Sequence, residues 1–275
     1  MNLTFLDNLF MKFPIDGNFD LINSTKNLEI KNNLALDIGF GDGGASLFFA
    51  LEGYQVTSLG WELETYKYPK ELFNKFDIDV KEILFENYKT DKRFGLIWAS
   101  HVIEHTQNPG FFLDNCWNLL DDSGYLCIMV PPYKSEIVGG HVTTGWNIGQ
   151  LMYNLLLKGF DIKHGHFIKH GYNLCAFVKK TKKIELNLRM DNGDIELTKD
   201  FWPIDAIQGF DGNISRVNWF NDFKSYETFE KRNQELETEI KSTKETQIKI
   251  EKRNQELEKL LIIKNNAITD LLKRV

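Results

Sequence analysis

Two histidines and a glutamate follow one another at a spacing that suits acid–base or metal chemistry. His101, Glu104 and His105 stand at positions i, i+3 and i+4, so on one helical turn all three side chains would share a face. Glu104 and His105 could bind a divalent cation such as Mg²⁺, with His101 or His141 completing the ligand set. The same residues could instead line a ligand pocket in which one imidazole orients or deprotonates a hydroxyl. The spacing leaves both hypotheses open.

His141 is the second candidate for proton transfer. Gly139 and Gly140 precede it, after the predicted fifth strand. Glycines favour a mobile loop there, and a near-neutral imidazole suits the removal of a proton from an alcohol. An ordinary surface histidine is the alternative. We predict His141 or His101 as the catalytic base.

A glycine-rich turn follows the first strongly apolar run. Leu34–Ile38 predicts a strand, Gly39–Gly44 a turn, and the residues from Ala45 a helix. This order is typical of a nucleotide site, because glycines permit close backbone approach and a helix N-terminus adds positive potential. The glycines also fit the GxGxxG dinucleotide pattern, which favours a nicotinamide cofactor. A purely structural turn is a third possibility.

Asp37 helps to choose among these alternatives. It lies two residues before the first glycine, at the carboxyl end of the predicted strand. A carboxylate there suits a ligand with a cationic amine, such as the amino-acid end of S-adenosylmethionine. The residues Asp37, Gly39, Gly41 and Gly43 match the first motif of the class I S-adenosylmethionine-dependent methyltransferases, and the sequence resembles that family.

The resemblance extends over roughly residues 30–180. The run Ser100–His105 with Asn108-Pro109 closely matches the branch that includes ubiquinone-type O-methyltransferases and many sugar-modifying relatives. The family resemblance implies S-adenosylmethionine as cofactor and a sulfonium methyl group as the transferred unit. Some relatives bind a metal through Glu-x-x-Glu-His at this place, where this chain has His101 in the first position.

The resemblance also implies further cofactor contacts. Glu62, two residues after Gly60, corresponds to the family's acidic residue that grips the ribose hydroxyls. Glu86 follows the predicted third strand, where relatives contact the adenine; a solvated strand-end carboxylate is the alternative. Ser100 directly follows the predicted fourth strand, Phe94–Ala99, and completes the predicted cofactor set.

The alternation of strand-like and helix-like segments predicts the fold class. It indicates an α/β protein with a Rossmann-like, mostly parallel, seven-stranded sheet and helices on both faces. We assign residues 1–181 to the methyltransferase domain. Residues 182–221 are predicted to add a small β-hairpin centred on Asn192-Gly193. The aromatic segment Phe201–Phe223 is expected to pack back onto the first domain.

Residues 222–275 differ from the rest of the chain because they carry a seven-residue repeat. The octet Glu230–Glu237 recurs identically at Glu251–Glu258, which is a shift of three heptads. A sustained seven-residue repeat predicts a helical coiled-coil tail and self-association through it. A single solvated helix is the alternative.

The composition limits the kinds of partner and the cellular compartment that we expect. The chain has 275 residues and a formal charge of −6, which argues against a nucleic-acid partner. No apolar stretch approaches the ~20 residues of a membrane span, and the N-terminus does not resemble a signal peptide. The scattered cysteines Cys116, Cys127 and Cys175 predict no disulfide framework, and we expect a reducing cytoplasm.

The acceptor is the least determined feature. The stretches Gly140-His141 and Gly145–Asn147 resemble methyltransferases of bacterial surface-polysaccharide pathways. That likeness implies a sugar, a nucleotide-activated sugar or another nucleotide-activated capsule precursor as a small-molecule acceptor. A small phenolic or quinone-type acceptor stays open. An alternative of another class is a non-catalytic coiled-coil scaffold with a vestigial Rossmann-like domain.

Overall fold

A computed structural model describes residues 19–64, 68–182, 186–220 and 253. The chain divides into two compact units, Met1–Asn221 and Asp222–Val275. The predicted coiled coil falls almost entirely outside the described residues. Within the described part of the chain, no helix is both long and apolar enough to cross a bilayer.

The first unit is built on one sheet of eight strands. Strands β1 to β5 run parallel to one another, and β7, β6 and β8 continue the sheet from β5 through antiparallel pairs. The spatial order is β3-β2-β1-β4-β5-β7-β6-β8. The strands are β1 Leu34–Ile38, β2 Gln55–Gly60, β3 Asp79–Glu82, β4 Phe94–Ser100, β5 Leu120–Val130, β6 Asp161–His170, β7 Asn173–Lys179 and β8 Arg216–Val217.

The predicted count of seven strands is therefore wrong by one. The additional strand, β8, lies in the aromatic segment and pairs antiparallel with β6. It has only two residues, Arg216 and Val217, too few to show an alternating pattern in the sequence. The α/β class and the mostly parallel, Rossmann-like arrangement are confirmed.

Between residues 19 and 220, six helices and four single 3₁₀ turns of the described chain precede or connect the strands. The longer helices begin where a side chain satisfies the free backbone amides of the first turn: Asn108 accepts from the Phe111 amide, and Asn147 accepts from the Gln150 amide. The helices are α1 Phe19–Ser24, α2 Gly44–Leu51, α3 Lys70–Lys75, α4 Pro109–Leu119, α5 Ile148–Leu157 and α6 Asp194–Thr198. The 3₁₀ turns are Thr25–Asn27, Phe85–Asn87, Ile103–His105 and Lys199–Phe201.

The hairpin predicted around Asn192-Gly193 is not formed. In its described part, Leu186–Arg189 has no strand, and Asp194–Thr198 is helix α6. The fully buried Asp194 carboxylate accepts backbone hydrogen bonds from Arg189 at 2.9 Å and Met190 at 2.8 Å. A short acidic side chain that binds nearby amides competes with strand pairing, and this contact closes the segment into a compact loop.

The core lies around the central strands, which are covered on both faces. Every residue of β4 except Ser100 is buried, as expected for a strand inside a parallel sheet. Trp98 packs against Phe49 on one neighbouring element and Phe177 on another. The three cysteines are buried and unpaired, and burial raises the pKa of each thiol well above its usual value. They act as packing residues, and the polar chemistry is left to the carboxyl edge of the sheet.

Candidate functional site at the carboxyl edge of the sheet

The glycine turn connects the end of β1 to helix α2. Gly39, Gly41 and Gly43 have φ values of +69°, +51° and +87°, which side-chain-bearing residues rarely adopt. A Cβ at Gly39 would lie 2.6 Å from the Val102 side chain, and one at Gly43 would lie 2.6 Å from Phe73. At Gly41 the same Cβ would meet nothing within 4 Å. Two of the glycines thus allow close packing, and the third leaves backbone open to a ligand.

Asp37 is buried beneath this turn. Its carboxylate accepts a hydrogen bond from the Ser46 hydroxyl at 2.6 Å, and that hydroxyl lies 2.7 Å from the hydroxyl of Ser58. Burial is the largest influence on Asp37 and raises its pKa to about 7, against the lowering effect of the Ser46 hydrogen bonds. Asp37 therefore ties β1 to α2 and β2. Its contact with a ligand amine stays a prediction.

Ser46 and Ser58 are residues that the sequence analysis missed. Serine in an apolar helix and serine in an apolar strand carry no motif, and only their shared contact with Asp37 gives them a role. The single available signal was that both are small polar residues in segments predicted to be buried.

The other predicted cofactor residues lie at the ends of neighbouring strands. Glu62 follows β2 in an exposed position with a φ of +53°, and Ser100 ends β4 half-buried. Glu86 lies half-buried in the 3₁₀ turn Phe85–Asn87, after β3. Parallel sheets bind ligands at this edge, and strained backbone often marks functional positions. Open backbone at Gly41 and the N-terminus of α2 also fit the binding of S-adenosylmethionine.

His101 does not lie on the helical turn that its spacing suggested. It has a φ of +54°, and only Ile103–His105 form a 3₁₀ turn after it. A parallel strand of the sheet ends at Ser100, so the chain must change direction there before a helix can start. The imidazole stacks on Tyr172, with ring centroids 5.8 Å apart.

Both ring nitrogens of His101 face oxygen acceptors. Nε2 lies 2.7 Å from Asn173 Oδ1, and Nδ1 lies 3.2 Å from Glu104 Oε1. The Asn173 amide nitrogen donates to the His170 carbonyl, which sets the amide orientation and makes Nε2 the donor to Oδ1. Neither nitrogen is positioned to accept a proton from a substrate. Asn173 was not predicted from the sequence, because a lone asparagine at a strand start has no distinctive spacing.

Glu104, His105 and His141 come together at the same edge. One ligand-type atom from each lies within 4.8 Å of the others, and the two imidazole rings are 5.0 Å apart between centroids. Glu104 is completely buried, and neither of its carboxylate oxygens has a hydrogen bond within the described residues. We call these three side chains the Glu104 cluster. The structure thus brings His141 next to Glu104 and His105. His101 lies outside this group of three and approaches the Glu104 carboxylate through Nδ1.

Hydrogen bonds hold the loop that bears His141 next to Glu104 and His105. The amides of Val142 and Thr143 donate to the Glu104 carbonyl at 2.8 and 3.0 Å. The Thr143 hydroxyl donates to the Thr106 carbonyl, and His105 Nδ1 bonds the Gly140 carbonyl at 2.8 Å. The loop after β5 is therefore pinned across the end of β4.

Two concave regions share Pro132 and Trp146 in their linings, and the first also includes His141 of the cluster. One is a small cleft of about 20 Å³ with both polar and apolar walls, which we call the polar cleft because its lining includes Lys134, Glu136, His141, Thr143 and Thr144. The other is a cavity of about 260 Å³ whose lining is more apolar, with Tyr133, Trp146, Ile148, Leu174 and Ile214 among its residues.

Comparison with known proteins gives a family match over the first part of the sheet. Residues 36–128 match the family described as a methyltransferase domain. No curated protein matches the chain significantly.

Solved structures share the fold at low sequence identity. The Burkholderia thailandensis 1,6-didemethyltoxoflavin-N1-methyltransferase, solved with 1,6-didemethyltoxoflavin and S-adenosylhomocysteine, aligns with a TM-score of 0.51 and 15% identity over 65% of this chain and 86% of its own. A Nostoc punctiforme protein named as a candidate O-methyltransferase aligns with a TM-score of 0.50 and 11% identity. The alignment covers 64% of this chain and 59% of the Nostoc protein. The domain match over residues 36–128 supports S-adenosylmethionine-dependent methyltransferase activity with S-adenosylmethionine as the cofactor, and the solved structures share its fold.

Proposed function

We propose that the protein methylates a hydroxyl oxygen of a polar acceptor: a sugar, a nucleotide-activated sugar or another nucleotide-activated precursor of a capsule or polysaccharide. The observation that carries this proposal is the position of the Glu104 cluster beside a polar cleft. A Cβ at Gly39 would touch Val102, so the cofactor turn packs directly against the segment that bears Glu104. Methyl donor and proton-accepting groups are then neighbours.

The chemistry required of the protein is positioning and proton removal. The sulfonium cofactor supplies an activated methyl group, so the protein has to align the acceptor oxygen with the methyl carbon. An alcohol must also lose a proton as its oxygen attacks. We assign this proton removal to the Glu104 cluster, with His141 facing the cleft. His101 is the weaker candidate for the base, because both of its ring nitrogens already face acceptors.

The lining of the polar cleft supports the acceptor class. Lys134 offers a positively charged hydrogen-bond donor, and Glu136 offers a negatively charged acceptor. Thr143 and Thr144 add hydroxyl groups. Such a lining satisfies the hydrogen bonds of a sugar or of a phosphate-bearing group, which an apolar pocket would leave unpaired.

The test measures product formation against a panel of acceptors. Purified protein is incubated with S-adenosylmethionine and sugar nucleotides, free sugars or catechols, and S-adenosylhomocysteine is quantified. We expect turnover with a sugar-type acceptor, and a loss of about 10²–10⁴-fold in the His141→Ala variant. Its affinity for S-adenosylhomocysteine should stay unchanged. Turnover of none of the hydroxyl acceptors would overturn the proposal.

A phenolic or quinone-type acceptor is the second candidate. The cavity of about 260 Å³ favours it, because aromatic and aliphatic side chains dominate its wall. Ile214→Asp would place a charge in that wall. It should abolish turnover of catechols and leave turnover of sugar nucleotides, so the same panel separates the two candidates.

We also propose that residues 222–275 mediate self-association as a coiled coil. The support is the exact repeat of an octet after three heptads. Light scattering on the full chain and on residues 1–221 tests this, with turnover measured on both. Equal masses per chain would overturn it, and a full chain that binds no S-adenosylhomocysteine would favour the non-catalytic scaffold alternative.

A further inference from the structure

We propose that Glu104, His105 and His141 form a binding site for a divalent cation of borderline hardness, such as Zn²⁺ or Co²⁺. The inference deepens the proposed function, because it says how the Glu104 cluster would act on a hydroxyl. Its test, however, measures metal binding alone and does not depend on the acceptor.

The first argument is the burial of Glu104. Its side chain has no exposed area, and neither oxygen has a hydrogen bond within the described residues. His101 Nδ1 lies 3.2 Å from Oε1, and Oε2 has no hydrogen-bond partner among the described residues. Burying a carboxylate is costly unless it is paired or bound to a metal. The unsatisfied oxygen points to a ligand that completes the site.

The second argument is the orientation of His105. A carbonyl oxygen only accepts, so the 2.8 Å contact with the Gly140 carbonyl requires a proton on Nδ1. The lone pair of the neutral ring is then on Nε2, the nitrogen left for a metal. Metal-binding histidines commonly donate their other ring nitrogen to a carbonyl or carboxylate in this way.

The third argument is that the loop is fixed before any ligand arrives. The amides of Val142 and Thr143 both bond the Glu104 carbonyl, so His141 is tied by backbone to the residue that supplies the carboxylate. Ligand atoms within 4.8 Å of one another are about an ångström wider apart than in a closed site with bonds of ~2.0–2.2 Å. A bound cation would have to draw the ligand atoms together by that amount.

The donor set selects the kind of cation. Mg²⁺ prefers oxygen ligands and retains its waters, whereas two imidazoles and one carboxylate suit Zn²⁺ and its neighbours. Three protein ligands also leave a coordination position open, which is typical of a catalytic site. A cation there would lower the pKa of a hydroxyl placed in that position.

The experiment is a titration of Co²⁺ into the untagged, chelator-treated full chain, followed by visible absorption of the bound ion and by calorimetry. We expect one Co²⁺ per chain, displaced by Zn²⁺. Glu104→Gln and His141→Ala should each weaken binding by at least about tenfold. His164→Ala is the matched control, because His164 is an exposed histidine that pairs with Asp161 and should leave Co²⁺ affinity unchanged.

Each variant is also titrated with S-adenosylhomocysteine, which reports whether it has folded. Absence of Co²⁺ binding by a wild type that binds S-adenosylhomocysteine would overturn the metal site and leave the proposed function standing. Equal Co²⁺ affinity in wild type, Glu104→Gln and His141→Ala would overturn it as well. Failure of every hydroxyl acceptor alongside normal Co²⁺ binding would instead overturn the proposed function.

Discussion

The cofactor side and the acceptor side of the sheet edge are assembled in different ways. On the cofactor side, Asp37, the glycine turn and Ser46 lie within ten consecutive residues. On the acceptor side, Glu104 meets His141 from another loop, and His101 meets Asn173 from β7. A contiguous motif can be recognised from the sequence, whereas a site gathered from three segments depends on the order of strands. The predictions below test whether the two sides are separable.

Gly39→Ala should have the largest effect, because Gly39 packs against Val102 where the cofactor side meets the acceptor side. Left-handed backbone and a Cβ 2.6 Å from Val102 together should lower the free energy of unfolding by about 2–5 kcal/mol. Affinity for S-adenosylhomocysteine should fall at least about tenfold, or 1.4 kcal/mol. Urea unfolding and calorimetry measure the two effects.

Gly53→Ala is the matched control for that variant. Gly53 has a φ of +90° and open space at the Cβ position, and it lies outside the site. It should lose only about 1–2 kcal/mol of stability and none of its ligand affinity. Adding Val102→Ala to Gly39→Ala should restore part of the lost affinity. No difference between the two glycine variants would show that backbone strain alone matters.

Asp37→Asn should change the pH dependence of stability. The pKa of about 7 in the folded state lies above the usual value of 3.8, so between these two pH values the folded state holds a proton that the unfolded state has released. The stabilising contribution is complete below about pH 4 and is lost as pH rises through about 7. Over that window it amounts to about 4 kcal/mol. Urea unfolding at pH 4–8 should show that the free energy of unfolding changes less with pH in the variant than in the wild type. If the variant and the wild type lose the same free energy of unfolding between pH 4 and pH 8, the pKa of Asp37 is not raised.

Asn173→Ala tests the acceptor side without touching the glycine turn. It removes the oxygen that accepts from His101 Nε2, so a partly buried donor loses its partner. The free energy of unfolding should fall by about 1–3 kcal/mol, with unchanged affinity for S-adenosylhomocysteine. Asn173→Asp keeps an acceptor for the ring and should recover most of the stability. A loss of cofactor affinity in the alanine variant would contradict the separation of the two sides.

Thr143→Ala should have the smallest effect. It removes one hydrogen bond of 2.9 Å between the loop and Thr106 and leaves the two backbone bonds to Glu104. We expect a loss of about 1 kcal/mol in stability and a fall in turnover of less than tenfold. Thr143→Ser keeps the hydroxyl and serves as the control. Equal turnover in the two variants would show that this contact does not position His141.

The failed sequence predictions share a physical cause. Asn192-Gly193 is a strong local hairpin signal, yet Asp194 binds the preceding amides and starts a helix instead. The spacing of His101, Glu104 and His105 suggests one helical face, yet the chain turns sharply at His101 on leaving β4. In both places a longer-range or side-chain contact overrides the local pattern. The two-residue strand β8 likewise forms only because β6 offers it an edge.

The sequence alone determined the parts of this protein that depend on neighbours along the chain. These are the strand, turn and helix of the cofactor side and the succession of strands along the chain, since periodicity and backbone freedom are local properties. The coenzyme followed from the resemblance of Asp37 and the glycine turn to a methyltransferase motif. The tertiary structure decided which distant groups meet: Ser46 and Ser58 beneath Asp37, and Asn173 on His101. It also decided that His141 joins a buried Glu104. Such contacts arise from sheet order and burial, which bring residues together that no spacing in the sequence connects.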